Sequence, residues 1–321
     1  MTSVEPLPEG ARRPILVTGM PRSGTTWVAR VLEASGQVGY LNEPFNLAKD
    51  PGTVRVPVAK WFPYITEENE TEILPSLAPL LSFRYPLALE LTSCRNRTQL
   101  LHTVKSWWGY TRSRGRRPLV KEPHAVFSAE WFANRLASDT VVMVRHPAAV
   151  VSSWKRLDWT FDFANLLEQP HLLRDWLAPF ERDMRAAQRD SVDLVDRVAL
   201  LWDVVHRVVD TLRARMPMLR VVRHEDVALE PVPRFRDLYA ALGLAFTPAV
   251  EATVARSSSP RNPTELRREE PHAVVLASAA SLGNWRHRLD EAEIGRIRRR
   301  TEETAALYYP EDKWSSDARK R

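Results

Sequence analysis

Apolar residues in this chain come in short unbroken runs separated by amphipathic stretches, the pattern of buried strands alternating with helices. Ile15–Val17 is the first run and breaks at Gly19; a helical pattern resumes at Thr25 and continues to about Ala34, with Gly36 as its stop. Val141–Val144 is a second run, and Pro147 after it suits the first turn of a helix over 148–156. Pro118–Lys121 reads as a shorter strand, and Tyr40–Asn42 lies where another would emerge after the first helix. Between them, helical patches are expected at Glu70–Leu81 and Arg97–Tyr110. Strands joined by helices in this way predict an α/β fold: a P-loop-like central, mainly parallel sheet flanked by helices, in a single domain over residues 14–310. Residues 1–13 and 311–321 are expected as loose tails, and residues 54–116 as an insertion rich in aromatics and prolines.

The segment Met20-Pro-Arg-Ser-Gly-Thr-Thr-Trp27 joins the first strand to the first helix. A glycine-bearing turn that runs into a helix N-terminus cradles an anion: backbone N–H groups converge, and the helix dipole adds positive charge. Gly19 and Gly24 have the spacing of a nucleotide-triphosphatase loop, but Thr25 stands where its Lys belongs, and the cation is inside the loop at Arg22. Arg145 leaves the carboxyl end of the second long run, where open parallel sheets bind ligands. Ser153 follows eight positions later on the next helix. An Arg fork with a Ser hydroxyl suits a second, separate phosphate. Two phosphate sites on two strand–helix units imply a nucleotide phosphorylated at two places.

In these motifs the chain resembles the sulfotransferases that use 3′-phosphoadenylyl sulfate (PAPS). The 5′-phosphosulfate loop of that family is similar to Pro21–Thr26, and its Arg with a Ser eight residues later is matched by Arg145 and Ser153. Val221-Val-Arg-His-Glu-Asp-Val227 resembles the family's strand ending in Arg-Tyr-Glu-Asp, with His224 in place of Tyr. Gly283-Asn-Trp-Arg286 resembles the late Gly-x-Trp-Lys/Arg element. The likeness runs from residue 14 to about 290 and places the chain near the bacterial and carbohydrate-type branch. It implies that Arg22, Ser23, Gly24, Thr25, Thr26 and Trp27 hold the 5′ end and that Arg145 and Ser153 hold the 3′-phosphate. Trp285 is then expected near the adenine, and adenosine 3′,5′-bisphosphate (PAP) is the product. The chain departs from the cytosolic members at Ala277–Leu282, which lacks their Arg-Lys-Gly triplet; Arg286 or an Arg within 256–268 has to stand in.

Three groups are candidates for chemistry. Glu43, after the first helix where a second strand would emerge beside the loop, is the expected base for an acceptor hydroxyl, as in the bacterial and carbohydrate-type enzymes it resembles. Lys121 stands 24 positions before Arg145, where the cytosolic members carry the Lys of a Lys-x-His, and is expected to neutralise sulfuryl or bridging oxygens. Pro123 occupies the His position of that motif, and His124, one residue late, is the alternative base. With Arg22 and Lys121 as charge neutralisers the transfer is expected to need no metal. The acceptor is expected to be a carbohydrate, glycolipid or other small molecule, with the aromatics of 54–116 and of Trp154–Trp176 as its walls. Leu-rich stretches of the insertion also leave peripheral membrane contact open, and Ser257–Arg268 reads as a mobile loop. The alternatives are a diverged kinase that uses ATP and Mg²⁺, or a nucleotide-binding module without catalysis.

Composition narrows the setting. A net charge of +6 would permit nucleic-acid binding, but only seven of the 46 basic residues are Lys, and the Arg residues are spread along the chain as in a high-GC bacterial coding bias. No zinc spacing, recognition-helix signature or RNA-binding aromatic motif appears, which argues against a nucleic-acid partner. A single cysteine, Cys94, excludes an internal disulfide. No apolar run is long enough to span a bilayer, so a cytoplasmic protein is expected.

Overall fold

The computed structural model describes residues 12–48, 56–189, 191–267, 273–310 and 314. Five strands form one sheet: β1 Ile15–Gly19, β2 Val38–Asn42, β3 Arg117–Lys121, β4 Asp139–Val144 and β5 Arg220–Arg223. They run in the order β2-β3-β1-β4-β5, and every pairing is parallel. β1 and β4 are buried along their whole length. A parallel strand covered by helices on both faces has no reason to alternate with polar residues, hence the unbroken apolar runs.

Side chains still alternate between the two faces. Ile15, Val17, Val141 and Met143 enter a core with Val28 and Leu32 of helix α1 (Thr25–Glu33). Val142 and Val144 face the opposite core, which contains Val150 and Trp154 of α6 (Pro147–Leu157) and Trp202 of the 22-residue α7 (Leu194–Arg215). Leu16 and Val120 join a third cluster, in which Ile73, Leu77 and Leu80 of α2 (Glu70–Leu81) cover β2 and β3. Two further helices, α3 (Leu87–Ser93) and α4 (Arg97–Ser113), complete the insertion, and α5 (Ala129–Leu136) leads into β4. After β5 come α8 (His224–Leu229), α9 (Pro231–Ala241), α10 (Pro248–Ser258) and α11 (Glu291–Ala306).

After β1 the chain moves to one side of the sheet, through β2 and β3, and then to the other through β4 and β5. The switch falls between β1 and β4, and the crevice beyond their carboxyl ends is where such sheets bind ligands. Most of the two tails lies outside the described residues. Arg13 is already tied down, by its ion pair with Asp139 (2.9 Å) and by Arg117, whose Nε–H donates to the Arg13 carbonyl (2.8 Å). Trp314 packs on His146, with ring centroids 4.6 Å apart. The loop expected at Ser257–Arg268 starts later, because Ser257 and Ser258 close α10 with hydroxyls on the Val254 carbonyl. Among the described residues, no helix is long and apolar enough to cross a membrane.

Candidate active site

The turn after β1 is shaped by two glycines. A Cβ on Gly19 (φ 136°) would lie 2.3 Å from the Met143 carbonyl oxygen, so only glycine lets β1 end this close to β4. Gly24 (φ 99°) begins α1, and a Cβ there would lie 2.5 Å from Nδ1 of His224. Between them Arg22 has a left-handed backbone (φ 77°), a conformation that costs an ordinary residue about 1–2 kcal/mol. Trp154 of α6 and Arg145, just past the end of β4, hold it there: Trp154 Nε1–H donates to the Pro21 carbonyl (3.1 Å), and Arg145 donates to the Arg22 carbonyl (2.9 Å). The loop interior is left with buried polar atoms that have no protein partner, Ser23 Oγ, Arg145 Nε and His224 Nδ1. Buried polar groups of this kind normally find a partner, and an anionic ligand would supply one.

The guanidinium of Arg22 turns toward α6, where its Nε–H donates to Ser153 Oγ (3.0 Å). A small pocket of about 50 Å³ opens there, lined by Arg22, Arg145, Ser153, Arg156, Trp285 and Arg288. It exceeds the ~10–15 Å³ that one water needs. Burial, and then the charges of Arg145, Arg156 and Arg288, pull the Arg22 guanidinium down to about 10. Arg145 is lowered by burial as well, with Glu225 acting against the shift and Arg288 adding to it. Arg288 pairs with Glu265 (2.8 Å), a residue half exposed to solvent, so the guanidinium cluster carries an excess of positive charge.

Arg22 and Arg145 also line a separate cleft of about 790 Å³. That is within the usual range for small-molecule sites. One wall is built by the ends of β2 and β3. Asn42 lies in register with Lys121, which brings Glu43 beside Lys121. Glu43 has a left-handed backbone (φ 48°), and its N–H donates to the Lys121 carbonyl (2.7 Å). Its carboxylate forms a buried ion pair with the Lys121 ammonium and accepts from Asn46 Nδ2 (2.5 Å). Burial opposes ionisation of Glu43, but the charge and hydrogen bond of Lys121, with Asn46, bring its carboxyl down to about 2.

His124 reaches the same wall. The strand ends at Lys121, and a 3₁₀ turn over Pro123–Ser128 restores the direction that a one-residue offset would have reversed. His124 Nδ1 lies 3.0 Å from Oε1 of Glu122, which also accepts the His124 N–H (3.1 Å). Glu122 is fully buried, and its other oxygen accepts the Phe45 N–H (2.7 Å). Trp61 packs on the imidazole at 4.5 Å, with Phe62 edge-on at 5.2 Å. Phe161 meets Phe62 edge-on at 5.6 Å, and Trp159, which also lines the cleft, lies 6.0 Å from the Arg22 guanidinium.

The residues expected at the 5′ loop, Arg22 and Gly24 through Trp27, line the cleft, while Ser23 is buried beneath it. Trp27 is fixed by Nε1–H donation to Ser257 Oγ (3.0 Å). Trp285 lines the small pocket and not the cleft, stacked on His146 at 5.3 Å. Arg286 lies over the Trp285 indole (4.2 Å), and it is Arg156 and Arg288 that face the small pocket. The sequence reading missed both, along with Glu122 and Asn46. Arg156 had a readable signal, three positions after Ser153 and so on the same helix face. His224, noted in the sequence only as a replacement for Tyr, is held neutral by burial and by Arg145 and Arg22, which push its pKa well below the usual range.

Fold and site together define a parallel α/β protein with a phosphate-type loop and a divided, cation-lined cleft at the switch point of the sheet. The chain belongs to the sulfotransferase family, whose sequence profile matches residues 14–248. It is 37% identical over 81 residues to carbohydrate sulfotransferase 6 of Homo sapiens, a match covering 24% of this chain and 20% of that one. Carbohydrate sulfotransferase 5 of Mus musculus is 34% identical over 79 residues, again 24% and 20% of the two chains. The matched segment thus spans about a fifth of these relatives. Among solved structures, the sulfotransferase domain of the Synechococcus PCC 7002 olefin synthase superposes with a TM-score of 0.46 at 15% identity, over 96% of this chain and 97% of that one. A likeness that loose assigns nothing to individual residues.

Proposed function

We propose that this protein is a PAPS-dependent sulfotransferase that moves the sulfuryl group to a hydroxyl of a carbohydrate or other small-molecule acceptor and releases PAP. The observation that carries the reading is the crowding of Arg22, Arg145, Arg156 and Arg288 around a small pocket; two of them, Arg22 and Arg145, also line the larger cleft beside the loop. A nucleotide with one terminal phosphate has no use for two such places; a 3′,5′-bisphosphate has. The unpartnered Ser23 Oγ, Arg145 Nε and His224 Nδ1 fit polyanion binding at the same place.

In this reading Arg145, Ser153, Arg156 and Arg288 hold the 3′-phosphate, and the N–H groups of Arg22–Thr26 hold the 5′ end. Arg22 bridges the two. The acceptor oxygen attacks sulfur, the bond from sulfur to the bridging phosphate oxygen breaks, and that oxygen keeps the electron pair. Lys121 stabilises the charge building there. Glu43 takes the acceptor proton, and its basicity rises as Lys121 turns from it to the leaving phosphate. His124 is a second reading for the base, favoured by one observation: in the neutral tautomer Nδ1–H donates to Glu122, which leaves Nε2 to accept a proton. The aromatic walls at Trp61 and Trp159 suit the faces of a sugar or a planar alcohol. A single cysteine and the Arg-over-Lys bias support a bacterial cytoplasmic setting.

Labelled PAPS, a panel of glycans, glycolipids and phenols, and a chelator test the proposal. Sulfated product with chelator present is the expected result. Turnover that requires ATP and Mg²⁺ would identify a kinase, and tight PAP binding with no turnover of any acceptor would identify a binding module.

A further inference from the structure

Helices α3 and α4 carry a surface that the cleft does not use. Nothing in α3 is buried, and α4 buries only Thr103. One side of α4 anchors it: Tyr110 meets Tyr85 and Phe83, with ring centroids 5.1 and 6.1 Å apart, and Thr103 Oγ1 lies 3.2 Å from Cys94 Sγ. On another side Leu100, Leu101, Val104, Trp107 and Trp108 fall within about 120° of the helix circumference. Leu101 is 71% exposed and Trp108 57%, and Leu89 of α3 is 68% exposed. Contiguous apolar surface of this kind usually has a partner.

Charge selects the partner. From Arg97 to Arg117 the chain holds six Arg and Lys residues and no Asp or Glu. Lys105 and Arg112 fall just beyond one edge of the apolar stripe, at roughly 20–40° from Leu101 on the helix. Two copies meeting through this face would bring these cations together with no carboxylate of α4 to pair them. An anionic lipid surface supplies the missing charge and takes the Leu and Trp side chains at the same time. We propose that the exposed face of α4 is a docking surface for anionic membranes, with Leu101, Val104 and Trp108 in the interface and Lys105 and Arg112 among the headgroups. This inference is independent of the sulfotransferase reading.

Co-sedimentation of the full chain with phosphatidylcholine vesicles, with and without phosphatidylserine, tests it. Binding is expected only with phosphatidylserine and should weaken as salt rises. Leu101→Asp with Trp108→Asp, and separately Lys105→Glu with Arg112→Glu, should each weaken it on the order of tenfold or more. An unchanged far-UV circular dichroism spectrum and thermal midpoint would verify that these exposed substitutions leave the fold intact. No sedimentation with phosphatidylserine, or equal sedimentation of the Leu101/Trp108 variant, would overturn the proposal. So would a wild-type dimer in velocity sedimentation that this variant dissolves, which would make a second copy the occupant.

Discussion

A carboxyl group at about 2 is a weak proton acceptor while its cation stays in place, so Glu43 and Lys121 act as one unit. Removing the carboxylate from the unit should cost a general base: Glu43→Gln is expected to lower turnover on the order of a hundredfold or more with PAP affinity nearly intact. If Glu43→Gln keeps its activity and His124→Ala loses it, the proton goes to His124. The pair also has a stability signature. Folding lowers the Glu43 carboxyl from 4.5 to about 2, so its contribution is complete above pH about 4.5 and disappears as pH falls toward 2. The urea midpoint of wild type should therefore exceed that of Glu43→Gln at pH 7, by an equivalent on the order of 3 kcal/mol, and the gap should narrow on acidification toward pH about 3. A gap independent of pH would show that the ion pair contributes nothing through titration.

At the scale of elements, the two turns that begin and end α1 make different demands on their glycines. Gly24 (φ 99°) lies against His224, whereas Gly36 (φ 69°) faces open space. Gly36→Ala should cost about 1 kcal/mol of backbone strain and leave nucleotide binding alone. Gly24→Ala combines strain with a collision against a buried ring and should lower PAP affinity at least roughly tenfold. Equal affinities for the two variants, by calorimetry, would mean that the loop does not hold the nucleotide. What was legible in the sequence follows the same division. The runs at Ile15 and Val141 and the patch at Glu70 gave strands and a helix because burial on both faces, or on one stripe, leaves a periodic trace. Glu43, Lys121, Arg145 and Ser153 were readable because each lies within a turn or two of a strand end. Arg288 was not, since its place depends on how the chain from Ser259 onward folds back over α6, and no local pattern encodes that path. Glu122 escaped notice for a similar reason: its long-range partner, the Phe45 N–H, reaches it only when β2 and β3 pair.

For the molecule as a whole, the four-guanidinium cluster is a liability until something anionic occupies the site. Buried like charges destabilise the fold that gathers them. Arg22 and Arg145 are both shifted toward the neutral form, first by burial and then by neighbouring guanidinium charge. A ligand that binds only the folded state adds RT ln(1 + [L]/Kd), about 2.7 kcal/mol at a hundredfold excess over Kd. Unfolding entropy scales with chain length, so in a protein of 321 residues this raises the melting midpoint by roughly 4 °C. PAP should produce that shift. AMP at the same concentration reaches the loop but not the small pocket, and should move the midpoint by about 1 °C or less. Replacing Arg145 with Ala should cut the PAP shift most, because Arg145 touches the loop through the Arg22 carbonyl and lines both cavities. Equal shifts for PAP and AMP in differential scanning fluorimetry would mean that the small pocket takes no second phosphate, and the two-site reading of the cleft would fall with it.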